Sequence, residues 1–472
     1  MKKSQNIILN IFFTLLLIAI ISGTYFLYKR FYFGEFTKAQ TSEVGANFYR
    51  EKEAFCLENT EYNDTLFYKK INVDKNTAYR VTYKVKTENV KGRYEEKEIS
   101  ENDCYKYQIG AVCGIMDTTE SSESVAGNTD WKEMNFIFYS KNREDLKIYF
   151  RLGGYMGEAI GKASFKDFKI EKAKNKKDIN WNVVCFNIEN IDATLGGKNY
   201  KISMTKEDKE LVKDNLNSFK NTMKDFSQGK MTVTTNIIDI KEPLKTLSYT
   251  DQDWYYIDPN DVYNLIDKYV QSDKYDHIFI ATRMGDKSLD VEIPVKDWIG
   301  LGGMRYRDIG FSNIRMPSDM KTTVMYKYNT RYNVFPEEVF VHEFLHTLER
   351  NLKEYDVKFP ELHNNEAFGY EDEGTSSIKV WYRDYMRQTV KGQNGYTGLT
   401  DIVYTTMPRH NEDFKDCEEI EFKVEPSNFF EGVVTIIANL FKNKGLNDNL
   451  SSNTNENNTE VVHFNIRKEE TE

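Results

Sequence analysis

Between about Val44 and Lys172, apolar and polar residues alternate with a period of two. In Ala78-Tyr79-Arg80-Val81-Thr82-Tyr83-Lys84-Val85-Lys86 the Tyr and Val side chains fall on one face, and Arg, Thr and Lys on the other. Met134 to Tyr139, Leu146 to Leu152 and Ala163 to Ile170 follow the same rule, with turn-rich stretches such as Gly127-Asn128-Thr129-Asp130 between them. Successive side chains of a strand point to opposite faces, so this segment predicts many short strands packed as a β-sandwich. Ahead of it, Ile7 to Tyr28 is apolar and uncharged, long enough to cross a bilayer as a helix at about 1.5 Å per residue. Lys2 and Lys3 flank it on one side, Lys29 and Arg30 on the other, so flanking charge does not set an orientation.

Beyond a charged linker, Ala173 to Asp178, the period changes. Trp181 to Ile188, Met231 to Ile240 and His277 to Ala281 read as strands. Thr205-Lys206-Glu207-Asp208 opens a helix carrying Leu211, Val212, Leu216, Phe219 and Met223 at helical spacing. Asp258-Pro259-Asn260-Asp261 opens a second. Gly300-Leu301-Gly302-Gly303-Met304 reads as a Gly-rich loop and Ile309 to Met316 as an exposed edge strand. Phe429 to Phe441 reads as an amphipathic helix, and 445–472 as an Asn/Ser/Thr-rich disordered tail. The expected fold class is α+β: an N-terminal transmembrane helix (1–30), a stalk (31–43), an all-β sandwich (44–172), an α+β domain (179–444) and the tail.

Pro336 to Arg350 carries the chemistry. Pro336, Glu337 and Glu338 suit a helix start, and Val341, Leu345 and Leu348 form an apolar stripe. On that helix His342 and His346 lie one turn apart on one face, so both imidazoles can bind one metal ion. Glu343 lies beside the position of a metal-bound water, whose lowered pKa lets a carboxylate remove its proton. The expected metal is Zn2+, with Glu343 as general base. The chain has 6 histidines, and two of them fall in this motif. Two candidates remain open for the third ligand: His363 in Pro360-Glu361-Leu362-His363, and Glu366 in Asn365-Glu366-Ala367. Glu373 is a further possibility. Glu349 lies on the helical side of the two histidines, as a group orienting an imidazole or as a surface charge. Tyr370, Tyr382 and Tyr385 are candidate phenolic donors to an oxyanion, with Tyr370 foremost; core packing is the alternative for each. His277 reads as structural.

The His-Glu-x-x-His helix, preceded by alternating strands and helices and a Gly-rich loop, resembles the zincin class of zinc peptidases. That resemblance implies a cleft beside an edge strand and a peptide or glycoprotein substrate. Glu349 and Leu352 stand where the long metzincin motif has Gly and His, so that branch does not fit. Asn365-Glu366-Ala367 resembles the third-ligand segment of the thermolysin-like branch, although Tyr370 replaces its Asp. The sandwich segment resembles the jelly-roll carbohydrate-binding modules of secreted glycanases. It does so through Asn76 to Tyr83, Asp130-Trp131-Lys132-Glu133, and Arg151-Leu152-Gly153-Gly154 leading to Ala163 to Ile170. This implies a glycan ligand, with Trp131 and Tyr155 as candidate contacts and core packing as the favoured alternative for Trp131, or a purely structural spacer.

Composition narrows the function classes. Hydrophobic residues make up 40% of the chain, with 31 Tyr and 30 Phe, so it folds. The net charge of −10 is spread without a basic stripe, so nucleic acid is not an expected partner. Five cysteines without CxxC spacing indicate no zinc site of their own; Cys104 and Cys113 either pair or stay free. The expected protein is a single-pass cell-membrane zinc metallopeptidase with its bulk outside the cell. The alternatives are a non-catalytic carbohydrate-binding surface protein with a structural or degenerate metal site, and a zinc hydrolase acting on a non-peptide bond.

Overall fold

The computed structural model describes residues 36–420, apart from 175–179, 319–334, 371–375 and a few shorter stretches, together with Leu15, Ser22, Gly23 and 459–461. Residues 36–173 build two packed sheets. One runs, in spatial order, β1 (Thr37–Gln40), β4 (Thr65–Asn72), β9 (Asp145–Gly153) and β7 (Gly110–Ile115). The other runs β2 (Ala46–Glu51), β3 (Ala54–Asn63), β10 (Gly157–Ala173), β5 (Ala78–Tyr94) and β8 (Gly127–Tyr139), with β6 (Lys97–Glu98) also paired to β5. Every pair among these strands is antiparallel. Alternation buries one face of each sheet, and the aromatic members meet in the middle. Phe67 and Phe150 are register partners whose rings stack at 5.3 Å, and Phe36, Phe55 and Phe165 close around them. Each such ring contributes ~2–3 kcal/mol by leaving water. A short helix, α1 (Glu101–Lys106), caps one end.

The second half is organised by a five-stranded sheet in the order β14 (Thr232–Ile240), β11 (Asn180–Ile188), β15 (His277–Arg283), β17 (Ile309–Met316) and β16 (Gly300–Tyr306). The first three pairings are parallel and the last is antiparallel. Parallel neighbours require crossovers. After the hairpin of β12 (Asn190–Leu195) and β13 (Lys198–Ser203), helix α2 (Lys206–Phe226) returns the chain from β11 to β14. Helix α3 (Pro259–Ile266) links β14 to β15. Thr205 and Asp208 form a capping box at the start of α2, and Leu211, Val212, Leu216, Phe219, Met223 and Phe226 bury one face. Asp208 also receives Arg283 Nε and Nη2 at 2.8 and 2.7 Å, with both side chains fully buried. The His-Glu-x-x-His segment is α4 (Glu338–Lys353), and α5 (Ser376–Met386) follows it. Phe344 of α4 meets Trp181 and Phe219 edge-on at 5.2 and 5.4 Å, which seats α4 on the strand β11 and helix α2.

Several expectations are corrected. The α+β class with a transmembrane helix gives way to a mostly β structure, 49% strand against 23% helix among the described residues. No helix among the described residues is long and apolar enough to cross a membrane, and nearly all of 7–28 lies outside them. The class shifts because the long sandwich strands outweigh the helices, and because the second half gathers its short apolar runs into one sheet buried on both faces. The edge strand is not Ile309–Met316, which is interior, but Gly300–Tyr306, the stretch read as a loop. Glycine weakens a strand signal in sequence, and neighbouring chain supplies the reason it is there.

Phe36 and Thr37–Gln40, read as stalk, belong to the sandwich core and sheet. Thr459–Val461, within the expected tail, pairs parallel with β1; the rest of the tail and Phe429 to Phe441 lie outside the described residues. A late strand, β18 (Cys417–Ile420), crosses back to pair with β10 of the sandwich. All five cysteines are free, so Cys104 and Cys113 do not pair.

Candidate metal centre

Helix α4 presents His342 and His346 on one face, with Nε2 atoms 3.2 Å apart. The chain leaves α4, runs through Pro360, and enters a 3-10 turn, Leu362–Asn364. That turn brings His363 Nε2 to 3.2 Å from His346 Nε2. Among the described residues these three histidines are the group whose ligand atoms converge, within 4.8 Å of one another. Glu366 stands on a second, separate 3-10 turn, Glu366–Phe368, is exposed, and is not part of that group. Gly369, in the left-handed region at φ 83°, ends this turn, so no following helix presents Glu366. Glu373 and His463 lie outside the described residues.

The hydrogen bonds on the far sides of the rings assign the tautomers. Tyr382 Oη donates to Glu338 Oε1 at 3.0 Å, so its oxygen accepts from His342 Nδ1 at 2.7 Å. Glu349 Oε2 accepts from His346 Nδ1 at 3.0 Å. Both Nδ1 atoms therefore carry the proton, and both Nε2 atoms carry a lone pair. Burial first, and the neighbouring His346 and His363 next, hold His342 well below the usual imidazole pKa, so it is neutral at physiological pH. A single proton bridges two nitrogens at most and leaves the third facing a lone pair; one metal ion serves all three. Tetrahedral zinc with Zn–N of about 2.0–2.1 Å sets nitrogens about 3.3–3.4 Å apart, close to the two 3.2 Å separations here. Three neutral-type nitrogen donors that converge in this way are a set that could hold a zinc ion.

Glu343 is buried directly beneath β16. A Cβ at Gly300 would collide with Glu343 Oε1, and one at Gly302 would lie 2.7 Å from the Glu343 backbone carbonyl and from Oε2. The edge strand can cross the helix at this point only as glycine. A bulge between Leu301 and Met304, with Gly303 at φ 79°, bends it there. Arg350 Nη1 then donates to the Gly303 carbonyl at 2.5 Å, tying the bulge to α4.

Tyr370 donates its hydroxyl to Asp384 Oδ2 at 2.9 Å, and burial followed by that carboxylate pushes its pKa up to about 12. Its one proton is thus engaged. His277 is fully buried in β15 with Nδ1 3.1 Å from Thr347 Oγ1. Sequence reasoning did not single out Glu338, although it lies four residues before His342 and so on the same helical face, a spacing that carries the signal. Tyr382 and Tyr385 were weighed as oxyanion donors; both are fully buried and hydrogen-bonded to carboxylates. A separate cleft between the two halves is lined by Glu120, Lys141, Trp181, Arg305, Thr347 and Arg350 among others.

No family model matches this chain, and no curated protein matches it. Solved structures similar to it are carbohydrate-binding modules. One is a CBM4, 14% identical, covering 29% of this chain and 86% of the other at a TM-score of 0.20. A second is TmCBM61 in complex with β-1,4-galactotriose, 14% identical, covering 29% and 89% at a TM-score of 0.20. A third is the CBM22-1 xylan-binding domain of Paenibacillus barcinonensis Xyn10C, 11% identical, covering 32% and 92% at a TM-score of 0.20. Each of these matches covers about a third of this chain or less.

Proposed function

We propose that this chain is a zinc-dependent hydrolase of peptide bonds, with His342, His346 and His363 as the metal ligands and Glu343 as the general base. The observation that supports this reading is the convergence of three imidazoles, with ligand atoms within 4.8 Å of one another, two of them on a helix that also carries Glu343. Zinc bound there would supply Lewis-acid polarisation of water and of a substrate carbonyl. The chain's own residues do the rest. Glu343 accepts a proton from the attacking water and returns it to the leaving amine. The low dielectric of its buried position strengthens its action on charge that develops beside it. Strand β16, which pairs on one side only among the described residues, offers backbone N–H and C=O groups to an extended peptide, which is why peptide bonds are preferred over other acyl bonds.

The test is metal content and cleavage measured together on the full chain. Wild type is expected to hold one zinc and to cleave an unfolded protein such as casein. His342→Ala, His346→Ala and His363→Ala should each lose the zinc, and Glu343→Ala should keep it while losing at least about 100-fold in rate. A folded chain without zinc would sink this reading. Zinc retention by His363→Ala, with loss in Glu366→Ala, would move the third ligand to Glu366.

A second reading, a non-catalytic carbohydrate-binding protein, is favoured by exposed rings on the sandwich. Tyr155 is 64% exposed and Trp131 37%, with Lys166 Nζ 4.4 Å from the Trp131 ring centre. Stacking on such rings is how aromatic side chains hold sugars. Glycan-array binding lost in Tyr155→Ala, together with an absence of zinc, would support it. Binding to the sandwich alongside zinc-dependent cleavage would place a glycoprotein as the substrate.

A further inference from the structure

We infer that Glu349 is the positioning residue that sets two of the three metal ligands at once; this rests on the metal reading above. Glu349 is 7% exposed, and its carboxylate faces three donors. Oε2 accepts from His346 Nδ1 at 3.0 Å. Oε1 accepts from the backbone N–H of Leu362 at 2.7 Å and, at 2.9 Å, from Tyr385 Oη, whose single proton is shared with the Pro360 carbonyl. Leu362 is the residue before His363, so one side chain of α4 fixes both the ring plane of His346 and the turn that delivers His363.

The turn is gripped from its other side as well. Trp381 Nε1 donates to the Leu362 carbonyl at 2.9 Å, and Tyr385 Oη lies 2.8 Å from the Pro360 carbonyl. Trp381, Tyr382 and Tyr385 share one face of α5, and Tyr382 holds His342. Helix α5 thus backs the whole site, and Glu349 joins it to α4 and to the turn.

Only a carboxylate suits this place. Three donors converge on two oxygens, and an ionised carboxyl group has acceptor sites for all of them. A glutamine of the same shape has one oxygen and one NH2. Whichever way its amide is turned, a donor meets either His346 Nδ1–H or the Leu362 N–H. The packing survives and the orientation of one ligand does not. Partners of this kind typically change metal affinity by about 10–100-fold.

The test is zinc affinity of the full chain, by competition with a chromogenic chelator, with the melting temperature of the metal-free protein measured in parallel. Glu349→Gln is expected to bind zinc about 10–100-fold more weakly than wild type, with the metal-free melting temperature changed little. In the cobalt-loaded chain its ligand-field absorption should also shift, since a ligand is reoriented. Glu349→Asp, a methylene shorter, should fail to span both partners and lose affinity as well; it stands in if the glutamine variant does not fold. Wild-type affinity and an unshifted cobalt spectrum in either folded variant would overturn the role of Glu349. Absence of zinc from wild type itself would instead overturn the metal reading on which it rests.

Discussion

His277 shows what a single buried side chain commits the protein to. It is fully buried between Phe279 and Phe344, whose ring centres lie 4.4 and 5.1 Å away, and its Nε2 has no hydrogen-bond partner among the described residues. Burial drives its pKa down to about 3 from the ordinary 6.5. The unfolded chain therefore binds a proton below pH 6.5 that the folded chain refuses. This contribution to stability is whole above pH 6.5 and is lost as pH falls toward 3, at up to about 1.4 kcal/mol per pH unit. Urea unfolding at pH 7.5, 6 and 5 should show wild type losing about 2 kcal/mol more than His277→Leu across that range. Equal losses in the two proteins would rule the assignment out. The sequence reads His277 as structural from its distance from the motif; the physical reason, a ring packed against Phe344 of α4, belongs to the tertiary structure.

At the level of elements, the contact between β16 and α4 is the most exacting in the second half. Gly300 and Gly302 are both needed there, for different reasons. A methyl at 300 meets the end of the Glu343 side chain, which can be removed; a methyl at 302 also meets the Glu343 backbone carbonyl, which cannot. Gly300→Ala and Gly302→Ala should each cost about 1–3 kcal/mol. In a Glu343→Ala background most of the Gly300→Ala cost should vanish, whereas the Gly302→Ala cost should largely remain. A double-mutant cycle by chemical denaturation reads this coupling directly. Equal relief at both positions would contradict the crossing described here. The Gly-rich stretch was visible in sequence, but its reading as a loop followed from ordinary strand preferences, which a helix pressed against the strand overrides.

On the scale of the whole molecule, the two halves share one structure. Ala78, Ile137, Tyr139 and Ala173 of the sandwich belong to the same buried cluster as Trp181, Phe344 and Tyr385. Strand β18 pairs with β10 through Ile170 and Ile420, Arg80 lies over the Phe414 ring at 4.7 Å, and Arg307 pairs with Glu123 at 3.1 Å across the junction. Calorimetry of the full chain should show one cooperative transition. Trp181→Ala, which empties a site beside the junction, should lower it by about 3–5 kcal/mol without splitting it. Two separate transitions in wild type would mean the halves unfold independently. The sequence pattern predicts a sandwich followed by a separate domain because composition changes at Ala173 to Asp178. Glu418 to Val424 alternates and reads as a late strand, but alternation does not say which strand it pairs with, so its return to the first half, more than two hundred residues away, is not written there.

Local chemistry by itself determined the alternating strands of the sandwich, the capped helices opened by Thr205 and Asp258, and the pairing of His342 with His346 one turn apart. These follow from periods of two and 3.6 and from side chains that bond to their own backbone, so they are written in neighbouring residues. Which third group stands beside the two histidines was open between His363 and Glu366, and folding brings His363 there through a short 3-10 turn held by Glu349 and Trp381. That Gly300–Tyr306 is the edge strand, and that Glu338, Tyr382 and Tyr385 stand behind the site, was likewise decided by tertiary contact. The reason is common to all three. Each depends on groups that are distant along the chain and adjacent only once helix, sheet and turn have closed around a shared core.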